Sequence, residues 1–177
     1  MSLFTVVACG ESAKGWVPNG VSIGSNDCEK WGRPVDYLIL ANHPSKFKDR
    51  LKVIKATKAK VMVTSRRDWD KHLPDCTQIT RVTAFNLRAS RGFIYTARTT
   101  PIMCASMALK MGATEIVLWG VDMMTHHAYR AGVKQGDQEI ATYKKFFSYL
   151  QKTGVKVWRG ADNTAFDKVL PLWTTAQ

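Results

Sequence analysis

Three apolar runs near the start of the chain each end in a cluster of small polar residues. Residues 4–8 (FTVVA) lead into Cys9-Gly10-Glu11-Ser12, and residues 21–23 (VSI) into Gly24-Ser25-Asn26-Asp27. Residues 35–41 (VDYLILA) lead into Asn42-His43-Pro44. Short β-branched runs bounded by turn residues predict strands. Residues 60–64 (KVMVT) predict a fourth strand, 80–85 a fifth, and 92–95 a further short one. Between them, Phe47, Leu51 and Ile54 recur at helical spacing, predicting a helix over 45–60. Its lysines and Arg50 fall around the opposite face and read as solvated surface.

The pattern becomes most decisive over residues 96–124. Thr96, Arg98, Thr99 and Thr100 form a polar loop, and Pro101 suits the first turn of a helix. Residues 102–111 are apolar and small, with Gly112 placed as a left-handed cap. Residues 115–121 then predict a strand apolar on both faces, ending in Gly120, Val121 and Asp122, as in the buried middle of a parallel sheet. Met123 to Gly136, which contains His126, His127 and two glycines, is expected to be a lid loop. Asp137 is placed as the N-cap of a helix running to Lys152, with Ile140, Tyr143, Phe147 and Leu150 inward. Gly154 closes it, residues 155–159 predict the last strand, and 165–170 a short tail helix.

These elements predict one α/β domain spanning 1–177, Rossmann-like, with a mostly parallel central sheet and helices on both faces. In such sheets ligands bind beyond the carboxyl ends of the strands and at helix N-termini. The polar clusters are therefore expected to gather along one edge.

Composition adds little until charge is counted. Hydrophobic residues make up 45% and charged residues 23%, ordinary for a globular domain. Lys and Arg number 26 against 14 Asp and Glu, a formal +12, which favours phosphorylated small molecules or polyanions as partners. The four cysteines (Cys9, Cys28, Cys76, Cys104) form no CxxC pair, so reduced thiols and no metal site are expected. The N-terminus lacks the layout of a signal peptide, and no apolar run has membrane-spanning length; a cytoplasmic protein is expected. Phosphate-loop, GxGxxG, nucleophile-elbow and HExxH motifs are absent, which removes the commoner NTPase, dehydrogenase, hydrolase and metalloprotease readings.

In order and spacing, VVACGES, VSIGSNDC and the stretch 96–124 resemble the bacterial sialyltransferase superfamily, which includes the lipooligosaccharide sialyltransferases and related bacterial and phage glycosyltransferase-like proteins. The archaeal 6-hydroxymethylpterin pyrophosphokinases are a more distant comparison. The resemblance implies a nucleotide-sugar substrate, a cytidine monophosphate conjugate, lying across these loops, with transfer needing no metal or other cofactor. It matches Gly10 and Ser12 to the first nucleotide loop, Asn26 to an asparagine that contacts the donor, Thr99 and Thr100 to the loop before the helix, and Asp122 to the acid after the central strand. Glu11, Asp27 and Arg98 flank those positions and complete the expected nucleotide-binding set. The superfamily's catalytic base is a lid histidine; here His126 and His127 lie much closer to Asp122 than its spacing implies.

Chemically, imidazole titrates near neutrality and suits removal of a proton from an acceptor hydroxyl. His127 or His126 is thus the candidate base, with Asp122 orienting the ring. The expected function is glycosyl transfer from a nucleotide sugar to a glycan acceptor. Two alternatives remain: a non-catalytic phage or bacterial accessory protein binding nucleic acid or a protein partner through its basic face, and a pyrophosphokinase-like enzyme requiring magnesium. Oligomeric state is left open.

Overall fold

The computed structural model describes residues 2–64, 69, 72–73, 80–82, 99–124 and 132–174. Its strands are β1 (Leu3–Val7), β2 (Val21–Ser25), β3 (Tyr37–Leu40), β4 (Lys60–Thr64), β5 (Thr80–Val82), β6 (Glu115–Trp119) and β7 (Lys156–Arg159). They hydrogen-bond into one sheet in the order β5-β4-β3-β2-β1-β6-β7, and every pairing is parallel. Chain order therefore runs outward in both directions from β1 and β6. That makes the β1/β6 boundary the topological switch point, where a crevice opens between the loops leaving the two strands.

Alternation along the strands sorts side chains onto two faces. Phe4, Val6, Ile23, Ile39, Ile116 and Leu118 join one buried cluster beneath helices α2 (Thr100–Lys110) and α3 (Lys134–Lys152). Val7, Leu38, Leu40 and Val61 join a second cluster, with Trp16, Phe47, Ile54 and Trp69. Short pieces cover this second face: 3-10 turns at Glu11–Gly15, Cys28–Trp31, Pro44–Lys46 and Lys48–Arg50, and the helix α1 (Leu51–Lys55). The expected fold class thus holds, with long helices on one side and short turns on the other.

Both long helices end as the glycines foretold. Gly112 and Gly154 have φ of 91° and 83°. Ala113 N–H donates to the Ala108 carbonyl and Gly112 N–H to that of Leu109; Val155 to Leu150 and Gly154 to Gln151 repeat the pattern. Each is a Schellman termination, which needs a left-handed residue at that point. Under α3, Tyr143, Phe146, Phe147 and Phe166 pack ring against ring with centroids 5.5–6.0 Å apart. Each such ring is worth about 1.5–3 kcal/mol when buried.

Several expectations are corrected. The helix expected over 45–60 is broken into two 3-10 turns and five residues of α-helix, because Lys48 adopts a left-handed φ of 47°. The third strand begins at Tyr37 rather than at residue 35. Helix α3 starts at Lys134, so Asp137 lies in its first turn, where its carboxylate accepts from Gly132 N–H at 3.0 Å. Lys134 to Gly136 are accordingly helix and not lid. Residues 165–170 form turns, pinned by Phe166 in the core, and not a helix. The strand expected at 92–95 lies outside the described residues. Among the described residues, no helix is long and apolar enough to cross a membrane.

Cys28 and Cys104 are buried in the two clusters. Burial, reinforced by neighbouring groups, pushes both thiols well above their ordinary value of 9.0. The unfolded chain therefore binds fewer protons than the native chain once pH exceeds about 9, and stability falls as pH rises through that point. Urea midpoints measured at increasing pH are expected to decline above about 9, with a shallower decline in Cys104→Ala.

Candidate functional site

The loop after β1 and the loop after β6 are laced together beyond the strands themselves. Ala8 N–H donates to the Trp119 carbonyl at 2.7 Å and Gly10 N–H to the Gly120 carbonyl at 2.9 Å. Asp122, only 8% exposed, accepts from Ser12 twice: backbone N–H to Oδ2 at 3.0 Å, and hydroxyl to Oδ1. The same hydroxyl accepts from Gly120 N–H at 2.8 Å. A buried carboxylate is tolerable only with such donors. The packing also fixes two glycines. A Cβ on Gly10 would lie 2.5 Å from the Asp122 carboxylate, and one on Gly120, at φ 71°, would lie 2.5 Å from the Ala8 carbonyl.

Alongside, Asn26 takes a left-handed φ of 53°, which asparagine tolerates. Its Nδ2 donates to Thr100 Oγ1 at 3.1 Å, joining the end of β2 to the start of α2. Its Oδ1 is buried with no partner among the described residues, a position that asks for a donor. Helix α2 begins here without a side-chain cap from Thr99. Its first amides and dipole therefore favour an anion at this end. Tyr143 reaches the same region from α3, and burial raises its hydroxyl pKa far above the usual range.

These groups surround a cavity of about 490 Å³, within the size range of small-molecule sites. Gly10, Glu11, Asn26, Asp27, Thr99, Thr100 and Asp122 all line it. Ser12 does not; its hydroxyl is turned onto Asp122 and Gly120 and holds the wall from behind. Glu11 is largely exposed and pairs with Lys14 at 3.4 Å. Arg98, His126 and His127 lie outside the described residues.

The opposite wall is built on Asp27, one of the expected set, together with residues that the sequence pattern did not assign to the site. Asp27, 1% exposed, is met by Arg50 Nη1 at 2.8 Å from each oxygen and by Lys30 Nζ at 3.7 Å. Cys9 Sγ donates to the Ser25 carbonyl at 3.2 Å and lies 3.6 Å from Asp27 Oδ1. Burial, then the Asp27 charge, pushes this thiol up to about 12, so at neutral pH it is a hydrogen-bond donor and no nucleophile. Asn42, Phe47 and Trp31 complete the wall, with Lys30 over the Trp31 ring at 4.8 Å. Arg50 was expected on a solvated face, and only the break at Lys48 distinguishes it. The polar end of the third strand was the signal for Asn42. Trp69 is fully buried behind this wall, its Nε1 donating to the Asn42 carbonyl at 2.9 Å. Among the described residues no group of acidic, cysteine or histidine side chains could hold a metal ion.

No protein-family model and no curated protein sequence matches the chain. Solved structures do match its fold. The sialyltransferase CstII from Campylobacter jejuni, in complex with the substrate analogue CMP-3FNeuAc, superposes with a TM-score of 0.62 at 17% identity, over 97% of this chain and 85% of that one. A variant of the sialyltransferase CST-II in complex with CMP gives 0.57 at 14% identity, over 95% of this chain and 85% of that one. The fold is sialyltransferase-like. At these identities the likeness concerns the path of the backbone, and it spans nearly the whole of this chain.

The Ser12 hydroxyl is the hinge of the wall. Ser12→Ala strips a donor from buried Asp122 and an acceptor from Gly120 N–H, and is expected to cost on the order of 2–3 kcal/mol. Urea unfolding measures it; a loss under about 0.5 kcal/mol, the scatter of ordinary surface changes, would remove the hydroxyl from that role.

Proposed function

We propose that the protein is a nucleotide-sugar-dependent glycosyltransferase whose donor is a CMP-sugar bound in the switch-point cavity. The observation that carries this reading is the convergence of Gly10, Asn26, Thr99, Thr100 and Asp122 on one cavity at the mouth of a parallel sheet. It is supported by the fold's likeness to sialyltransferases captured with CMP and with CMP-3FNeuAc. In this reading the donor phosphate meets the first amides of α2, with Thr99 and Thr100 beside it and Arg98 supplying charge. The Asn26 side chain, with its unpartnered Oδ1, takes a donor group of the nucleotide. Helix amides and an arginine supply the charge compensation that other transferases draw from a metal.

In the transfer step an acceptor hydroxyl oxygen, borne by a glycan, attacks the anomeric carbon. The bond from that carbon to the phosphate oxygen breaks, CMP leaves with the electron pair, and the acceptor proton passes to the imidazole of His127 or His126. Asp122 serves as a positioning residue, since both its oxygens already hold Ser12.

Thermal shifts with CMP, UMP, UDP and GDP, with and without magnesium, test the binding claim. CMP is expected to raise Tm without magnesium, by the equivalent of about 2.7 kcal/mol at a hundredfold excess over Kd. A Tm unmoved by all four nucleotides would overturn the reading, and a strict magnesium requirement would transfer it to pyrophosphate chemistry. For the proton transfer, the double variant His126→Ala/His127→Ala is expected to lose donor hydrolysis and transfer while keeping its CMP-induced shift. Full activity in that variant would dismiss both histidines as the base.

A further inference from the structure

Charge on this chain is concentrated in one place. The seventeen residues from 44 to 60 carry seven Lys and Arg against the single acid Asp49, a net +6 and half of the chain's +12. All seven cations are exposed, while Phe47, Ile54 and Ala59 tie the segment to the core. They are therefore displayed on a fixed support and not on a loose tail. Lys48 holds a left-handed φ of 47° that a non-glycine residue adopts at a cost. The break it makes turns Arg50 inward onto buried Asp27, at the wall of the cavity. The segment is thus a cationic ridge whose inner end is the cavity mouth.

We infer that this ridge is a docking surface for double-stranded nucleic acid, engaged through its phosphate backbone. An isoelectric point of about 9.7 with the cations clustered in one exposed segment is the electrostatic footprint of such binding. A duplex is favoured over a single strand because the ridge offers no stacking platform: its one aromatic ring, Phe47, is 2% exposed and packed against Trp69. A nucleic acid is favoured over an acidic glycan because, even with Arg50 paired to Asp27, the six lysines against Asp49 suit a polymer with a charge about every 1.7 Å of axis. The inference does not rest on the nucleotide-sugar reading, although a duplex on the ridge reaches the mouth of that cavity at Arg50.

Fluorescence anisotropy with a labelled duplex DNA oligonucleotide, titrated at several salt concentrations, tests it. With about four to six phosphates neutralised, log Kobs is expected to fall linearly with log salt with a slope between about −3.5 and −5.5. The triple variant Lys52→Glu/Lys55→Glu/Lys58→Glu is expected to lose affinity at least tenfold and to flatten the slope by about three. The urea unfolding midpoint serves as the separate readout: a midpoint kept in the variant shows that the fold survives, whether or not CMP binds. If charge reversal itself unfolds the protein, the neutral triple variant to Gln replaces it, with the same direction expected. No duplex binding at about 50 mM salt, affinity unchanged by either variant, or tighter binding of a labelled hyaluronate oligosaccharide than of the duplex would each overturn the assignment.

Discussion

A single carboxylate holds together the place where the sheet reverses direction. Asp122 lies just beyond β6, is nearly buried, and takes both the amide and the hydroxyl of Ser12 just beyond β1. Because the hydroxyl also receives Gly120 N–H, the loops after β1 and β6 are tied at three points by Ser12. Desolvating a carboxylate is costly, and these hydrogen bonds offset that cost only while the two loops stay in register. Gly10 and Gly120 belong to the same constraint, since neither position has room for a Cβ. The cavity exists because this junction is closed at its base and open above.

The second organising charge is Asp27, on the facing wall. Arg50 and Lys30 converge on it, and the Cys9 thiol completes its surroundings. Asp27 is buried while Arg50 is half exposed, so removing the arginine would leave an interior carboxylate short of its main partner. This pairing also explains the departure from a regular helix over residues 45–60. A continuous helix would keep Arg50 on the solvent face with the lysines, whereas the left-handed turn at Lys48 delivers it to Asp27. The strain is local, and its return is a paired charge in the interior.

Much of this architecture can be read along the chain. The apolar runs at β1, β2, β3, β4 and β6 lie where strand periodicity places them, and Gly112 and Gly154 terminate helices as left-handed caps. Polar tips after parallel strands share an edge by geometry, which is why Gly10, Asn26 and Asp122 line one cavity, joined by Thr100 at the start of α2. Less was legible wherever tertiary contact overrode spacing. The tail residues around Phe166 have helical composition but form turns, because the ring is held in the aromatic cluster beneath α3.

The sequence by itself determined the central strands, the two long helices, the parallel α/β class and the polar positions at the strand ends, because side-chain periodicity and glycine caps depend on neighbours a few residues away. Only the tertiary structure decided partners. That Ser12 faces Asp122 instead of the cavity, that Arg50 leaves the lysine face for Asp27, and that Asn26 bonds Thr100 all depend on residues far apart in the chain. Those choices follow from which buried charge or amide needs a donor once the sheet has formed, and local spacing carries no record of that need.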